Sequence, residues 1–136
     1  IEQQGARLAN LSYLGWAKRR EILPLVDASD VLVLPSRVES FGTIALEAMA
    51  RGRLVVVSSE CGILSWDLLN RGLFQMRSNE PLSATLTRLR ALDHALLERK
   101  AGIARSAARE LNERNLQHWL RVLRHGELCG LEHAVG

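Results

Sequence analysis

Two short apolar runs, Val31-Leu32-Val33-Leu34 and Leu54-Val55-Val56-Val57, constrain this chain more than any other feature. Neither alternates with polar residues. Such a run is the pattern of a strand covered on both faces, as in a parallel sheet. The stretch between them supplies a crossover: Gly42 to Arg51 reads as a helix, closed by Gly52 in the position after its last turn. Further elements extend the alternation. Leu11 to Leu14 reads as a short strand ended by Gly15. Arg19 to Ala28 reads as a helix with Ile22, Leu25 and Val26 on one side and Pro24 early in it. Ile63 to Asn70 is expected to be a short helix ended near Gly72, and Leu73 to Met76 a third short strand. Three amphipathic stretches follow, over 82–96, 97–112 and 114–124, in which Trp119 and Leu120 read as packing residues. Strands alternating with helices predict an α/β domain with a doubly wound parallel sheet and C-terminal helices.

The 136 residues suffice for one domain and not two, so residues 1–136 are read as a single unit. A chain that is 47% hydrophobic and 24% charged is not disordered throughout. Its aromatic residues are three Trp, one Tyr and two Phe, so aliphatic side chains must fill the core. The apolar runs fall far short of the roughly 20 residues of a membrane-spanning helix. The opening Ile1-Glu2-Gln3-Gln4 has neither a basic nor an apolar leader pattern. It reads as a cut, with part of the protein upstream. Cys61 and Cys129 are too few for a disulfide scaffold or a four-ligand zinc site, which points to a reducing, cytoplasmic setting. The net charge of +3 is almost all arginine, with Lys18 and Lys100 the two lysines, and is a mild bias.

In a parallel α/β sheet, ligands gather at the carboxyl ends of the strands. Two loops lie there: Pro35 to Phe41, and Ser58 to Gly62. The first leads straight into the helix at Gly42. The free N–H groups of Gly42, Thr43 and Ile44, at the positive end of that helix, suit an anion and phosphate above all. Glu47 is the one ionisable residue in Thr43-Ile44-Ala45-Leu46-Glu47-Ala48-Met49-Ala50. A helix apolar on every other side is expected to be buried, and a buried carboxylate needs a partner. Two readings stay open at this point: an ion pair with Arg51 or Arg37, or acceptance of hydrogen bonds from paired ribose hydroxyls. Glu39, eight positions earlier, can reach the same cleft from the loop, or stand as a solvated carboxylate.

The run Val31 to Gly42, continuing through Leu46-Glu47-Ala48-Met49-Ala50, closely resembles the nucleotide-sugar-binding half of retaining GT-B glycosyltransferases, and glycosyltransferase family 4 in particular. That family carries two glutamates separated by seven residues, the first soon followed by an aromatic residue and glycine. Glu39 and Glu47 match the spacing, with Phe41-Gly42 in place. Tyr13-Leu14-Gly15-Trp16, Ala28-Ser29-Asp30 and Arg51-Gly52 before Leu54 to Ser58 agree in register. The resemblance implies the Rossmann-like C-terminal half of a GT-B fold, incomplete at its N-terminus. Glu39 would act on the donor sugar as the catalytic carboxylate. Phe41, Gly42, Thr43 and Ile44 would hold the diphosphate, Glu47 the ribose, and backbone around Trp16 and Ala17 the base. A sugar would pass with retention from a UDP-sugar or GDP-sugar to a glycan or lipid-linked acceptor, without a metal or other cofactor.

Two departures accompany the match. Where such enzymes carry paired glycines and then Leu-Pro-Glu, this chain has Cys61-Gly62-Ile63-Leu64-Ser65. Cys61 reads as a small packing residue. The family's diphosphate-clamping Arg and Lys, and its acceptor domain, would precede residue 1, so this chain alone is expected to be inactive. A non-catalytic nucleotide-binding or interaction module of the same fold is the alternative. Peripheral contact of the arginine-rich helices with acidic lipid at the inner membrane face is a lesser option. A nucleic-acid partner is not expected, because no recognised module is present. Asp27 and Asp30 read as a helix-end and a pre-strand carboxylate, and the scattered histidines and Cys129 have no metal-ligand spacing of weight.

Overall fold

A computed structural model describes residues 10–125. The order is α1 (Arg19–Asp27), β1 (Val31–Leu34), α2 (Thr43–Ala50), β2 (Leu54–Val57), a 3-10 turn (Gly62–Ser65), α3 (Asp67–Asn70), β3 (Leu73–Gln75), α4 (Leu82–Arg90) and α5 (His94–His125). The three strands form one parallel sheet in the order β1-β2-β3. Val31 pairs with Leu54, and Val55 with Leu73. This is the expected Rossmann-like α/β arrangement.

The centre of the sheet is dry. Val55, Val56 and Val57 of β2 are fully buried, with Met49 of α2, Ile63 and Leu69 beside them. Each such side chain contributes on the order of 1.5–3 kcal/mol by leaving water. Ala104, Ala107, Ala108 and Leu111 form the buried face of α5. The three alanines let α5 lie close along α2, and it also packs against β2 and α3. Lys100 of the same helix donates to the carbonyls of Arg71 (2.8 Å) and Leu73 (3.1 Å), tying α5 to the start of β3.

Several boundaries differ from those expected. Leu11 to Leu14 forms no strand: a strand needs a ladder partner, and the segment has none among the described residues. β1 is half-buried rather than covered on both faces, because it is the edge of the described sheet. Pro24 sits at the sixth of nine positions in α1, not in its first turn, and the helix stops three residues later. The expected helix over 63–70 is split, because Trp66 is extended (φ −96°, ψ 98°) between the 3-10 turn and α3. β3 ends at Gln75, although the Met76 N–H still donates to the Val57 carbonyl at 2.9 Å. The three C-terminal stretches are two helices. The first ends at Arg90, and no Gly or Pro interrupts the sequence near 113, so the other two run on as the 32-residue α5. Trp119 is 61% exposed and packs on no core.

Candidate functional site

The site-bearing loops leave the carboxyl ends of β1 and β2 and are stitched together. Glu39 and Cys61 form an isolated parallel bridge, and the Gly62 N–H donates to the Glu39 carbonyl at 2.8 Å. The Ser58 hydroxyl donates to the Ser36 carbonyl. The approach is so close that a Cβ on Gly62 would lie 1.9 Å from the Ser40 carbonyl oxygen. Only glycine fits there. Gly42 has a different reason to be glycine. It caps α2 at φ 90°, a left-handed conformation that side chains rarely adopt. A Cβ there would also meet Cys61 Sγ and Leu34 Cδ2 at 3.0 Å. Cys61 itself is a buried free thiol, as its reading as a packing residue expects.

The tip of α2 gathers the predicted groups. One oxygen of the Glu39 carboxylate accepts from the Gly42 N–H at 3.1 Å and, more weakly, from the Phe41 N–H at 3.4 Å. Glu39 is therefore no solvated loop carboxylate; it caps the helix through one of the amides expected to face phosphate. The Thr43 and Ile44 amides lie in the first turn, where an α-helix offers no internal acceptor. Phe41 is held by an edge-on contact with Trp66, ring centroids 5.9 Å apart.

Glu47 corrects one expectation. α2 is not buried all round, since Thr43 and Ala50 are exposed, and the Glu47 side chain keeps 31% of its surface. Neither Arg51 nor Arg37 is its partner. Arg51 pairs with Asp27 at the far end of α2. The nearest guanidinium is that of Arg19, 3.6 Å away and itself 91% exposed. Glu47 also lines a groove toward α5, with Leu46, Ala50, Arg109 and Glu113.

Trp16 and Ala17 share an open cleft with Leu14, Arg20 and Pro24, and the Trp16 ring is fully exposed. Arg19, which meets Glu47, is the chain neighbour of Arg20 in this cleft. Sequence reasoning missed Arg19 because no spacing rule connects residues on separate helices. It also missed the cluster around Glu80, after β3. That carboxylate accepts from the Arg77 N–H (3.0 Å), the buried Thr85 hydroxyl (2.8 Å) and Arg88 (3.0 Å). Those bonds, that of Arg88 foremost, lower the Glu80 pKa to about 2. The cluster secures the start of α4.

Among the described residues no helix is long and apolar enough to cross a membrane. Comparison with known proteins bears on the same stretch as the site. The family model for group 1 glycosyl transferases matches residues 3–66. An uncharacterized glycosyltransferase of Methanocaldococcus jannaschii is 46% identical over 52 residues, which is 38% of this chain and 13% of that protein. An uncharacterized 41.2 kDa protein in the cps region of Klebsiella pneumoniae is 34% identical over 70 residues, 52% of this chain and 19% of that protein. The chain thus matches less than a fifth of the length of either relative. Strand register, the glycine-tipped helix and this match agree: residues 3–66 are similar to the group 1 glycosyl transferases.

Proposed function

We propose that this chain is the donor-binding part of a retaining GT-B glycosyltransferase of family 4 type, taking a UDP-sugar or a GDP-sugar. The observation that carries the reading is the spacing of two carboxylates on one helix tip: Glu39 on the Gly42 amide, and Glu47 one turn inside α2. The amides of Gly42, Thr43 and Ile44 bind the diphosphate, and the helix dipole steadies the negative charge that grows on it as it leaves. Glu47 accepts from the ribose hydroxyls. The cleft at Trp16 and Ala17 takes the base. Glu39 releases the Gly42 amide and turns to the sugar hydroxyls, fixing the anomeric carbon. The bond from that carbon to the diphosphate oxygen breaks. A bond to an acceptor hydroxyl oxygen forms on the same face, and the hydroxyl proton leaves with the departing group. A glycan or lipid-linked acceptor binds an upstream domain, and without that domain this chain turns over no donor. The setting is cytoplasmic, where Cys61 stays a thiol.

One observation favours the non-catalytic alternative. The loop that follows β2 folds into a 3-10 turn in which the Ser65 hydroxyl donates to the Gly62 carbonyl at 2.8 Å, so this hydroxyl is spent on its own loop and no carboxylate stands at that position. Calorimetric titration separates the readings. Donor binding by this site requires that UDP or GDP bind and that Glu47→Ala weaken the nucleotide about tenfold or more, the loss expected for hydrogen bonds to a charged acceptor. Unchanged affinity in Glu47→Ala removes the ribose role. A UDP-sugar that binds no better than UDP supports the module reading.

A further inference from the structure

The last part of α5 carries an apolar stripe that nothing in the described chain covers. Buried residues on this helix end at Leu111. Beyond it, Leu116 (54% exposed), Trp119 (61%) and Leu123 (78%) stand in solvent, with half-buried Leu120 beside them. At 3.6 residues per turn these four span an arc of about 100°, the i, i+3, i+4, i+7 pattern of a helix-packing face. Exposed contiguous apolar surface of this kind marks an association site.

We infer that this stripe pairs with the same stripe of a second copy, antiparallel, across a two-fold axis near residues 118–119. The charges identify the occupant. On the helical wheel Glu113 and Arg124 fall on the same flank of the stripe, about 60° and 80° from Leu116. They lie eleven positions apart, about 16 Å along the helix. In an antiparallel two-fold pair the same flanks of both helices meet. Glu113 of one copy then faces Arg124 of the other, and the pair occurs twice. The midpoint between these two residues lies within one residue of the midpoint of the stripe. The ion pairs made along α5 within one chain are His94–Glu98 and Glu110–Arg114, so among the described residues Glu113 and Arg124 are uncommitted. Asn112 falls within the arc of the stripe, one turn before Leu116, and the other flank carries Asn115, which opposes no charge.

Sedimentation equilibrium of the 136-residue chain from low to high micromolar concentration tests this, with far-UV circular dichroism to verify folding. The wild type is expected to show a monomer–dimer equilibrium. Trp119→Glu is expected to remain monomeric with an unchanged spectrum. Glu113→Arg and Arg124→Glu, both at exposed positions, each turn two attractive pairs into repulsive ones and are expected to weaken the dimer about tenfold. An equimolar mixture of those two variants restores opposite charges at both contacts and is expected to associate like the wild type. A wild type that stays monomeric throughout overturns the inference and leaves the stripe to another domain or partner. So does a dimer indifferent to Trp119→Glu, or a mixture that associates no better than its components.

Discussion

The guanidinium of Arg19 stands 3.6 Å from the carboxylate of Glu47, joining the start of α1 to the second turn of α2. At that separation, and with Arg19 91% exposed, the contact is a solvent-screened ion pair and not a lock on the carboxylate. Exposed pairs contribute about 0–1 kcal/mol. Glu47 therefore keeps its acceptor capacity for a ligand. Arg19→Ala is expected to change UDP affinity by less than about fivefold and the denaturant midpoint hardly at all. Calorimetry and urea unfolding check both. A loss as large as that of Glu47→Ala means that Arg19, and not the carboxylate, grips the nucleotide.

Gly62 is the position where one methyl group does most harm. Its added Cβ would lie 1.9 Å from the backbone oxygen of Ser40, so one of the two loops must move. Gly62→Ala is expected to destabilise the fold by about 2–4 kcal/mol, in the range of severe backbone and packing clashes. Gly102 is the control: nothing lies within 4 Å of a Cβ there, and it sits inside α5. Gly102→Ala is expected to stabilise by about 0.5–1 kcal/mol. Urea denaturation of the two variants reads both signs.

Acid stability has a definite window. The Glu80 carboxyl titrates near 2 in the folded chain, held down chiefly by Arg88, against 4.5 for its ordinary value. A depressed carboxylate stabilises the fold above its unfolded pKa. That contribution fades as pH falls through 4.5 and is gone below about 2. Stability measured from pH 5 to pH 2 is expected to fall less steeply in Glu80→Gln than in the wild type. Equal slopes contradict the assignment.

Thr85 is fully buried, and its hydroxyl donates to Glu80 at 2.8 Å. Thr85→Val keeps the shape and removes the donor. It is expected to destabilise by about 1–2 kcal/mol at neutral pH, and by less in a Glu80→Gln background. A double-mutant cycle in urea measures the coupling.

How far the sequence reached follows from the range of its signals. Val31–Leu34 and Leu54–Val57 were legible as parallel strands because their apolar pattern is local and strong, and the helix between them was bounded by Gly42 and Gly52. Leu11–Leu14 has a similar local pattern and forms no strand, since pairing is decided by neighbours that a single run cannot reveal. The amphipathic pattern suggests separate stretches over 97–112 and 114–124, yet backbone continuity needs only the absence of a breaker, and α5 runs through 113. At the site, the tip of α2 was readable from the loop-glycine-helix order. The Glu39 bond to Gly42, the Arg19 contact and the exposure of Trp119 depend on how separate segments meet, which spacing does not encode.

In the proposed function the first turn of α2 holds a nucleotide's diphosphate. Backbone amide chemical shifts, followed by NMR in ¹⁵N-labelled chain during parallel titrations with UDP and with uridine, test it most directly. UDP is expected to move the Gly42, Thr43 and Ile44 resonances more than any others, while uridine leaves them in place and shifts Trp16 and Ala17. Unmoved α2 amides at saturating UDP, with the largest shifts elsewhere, contradict it.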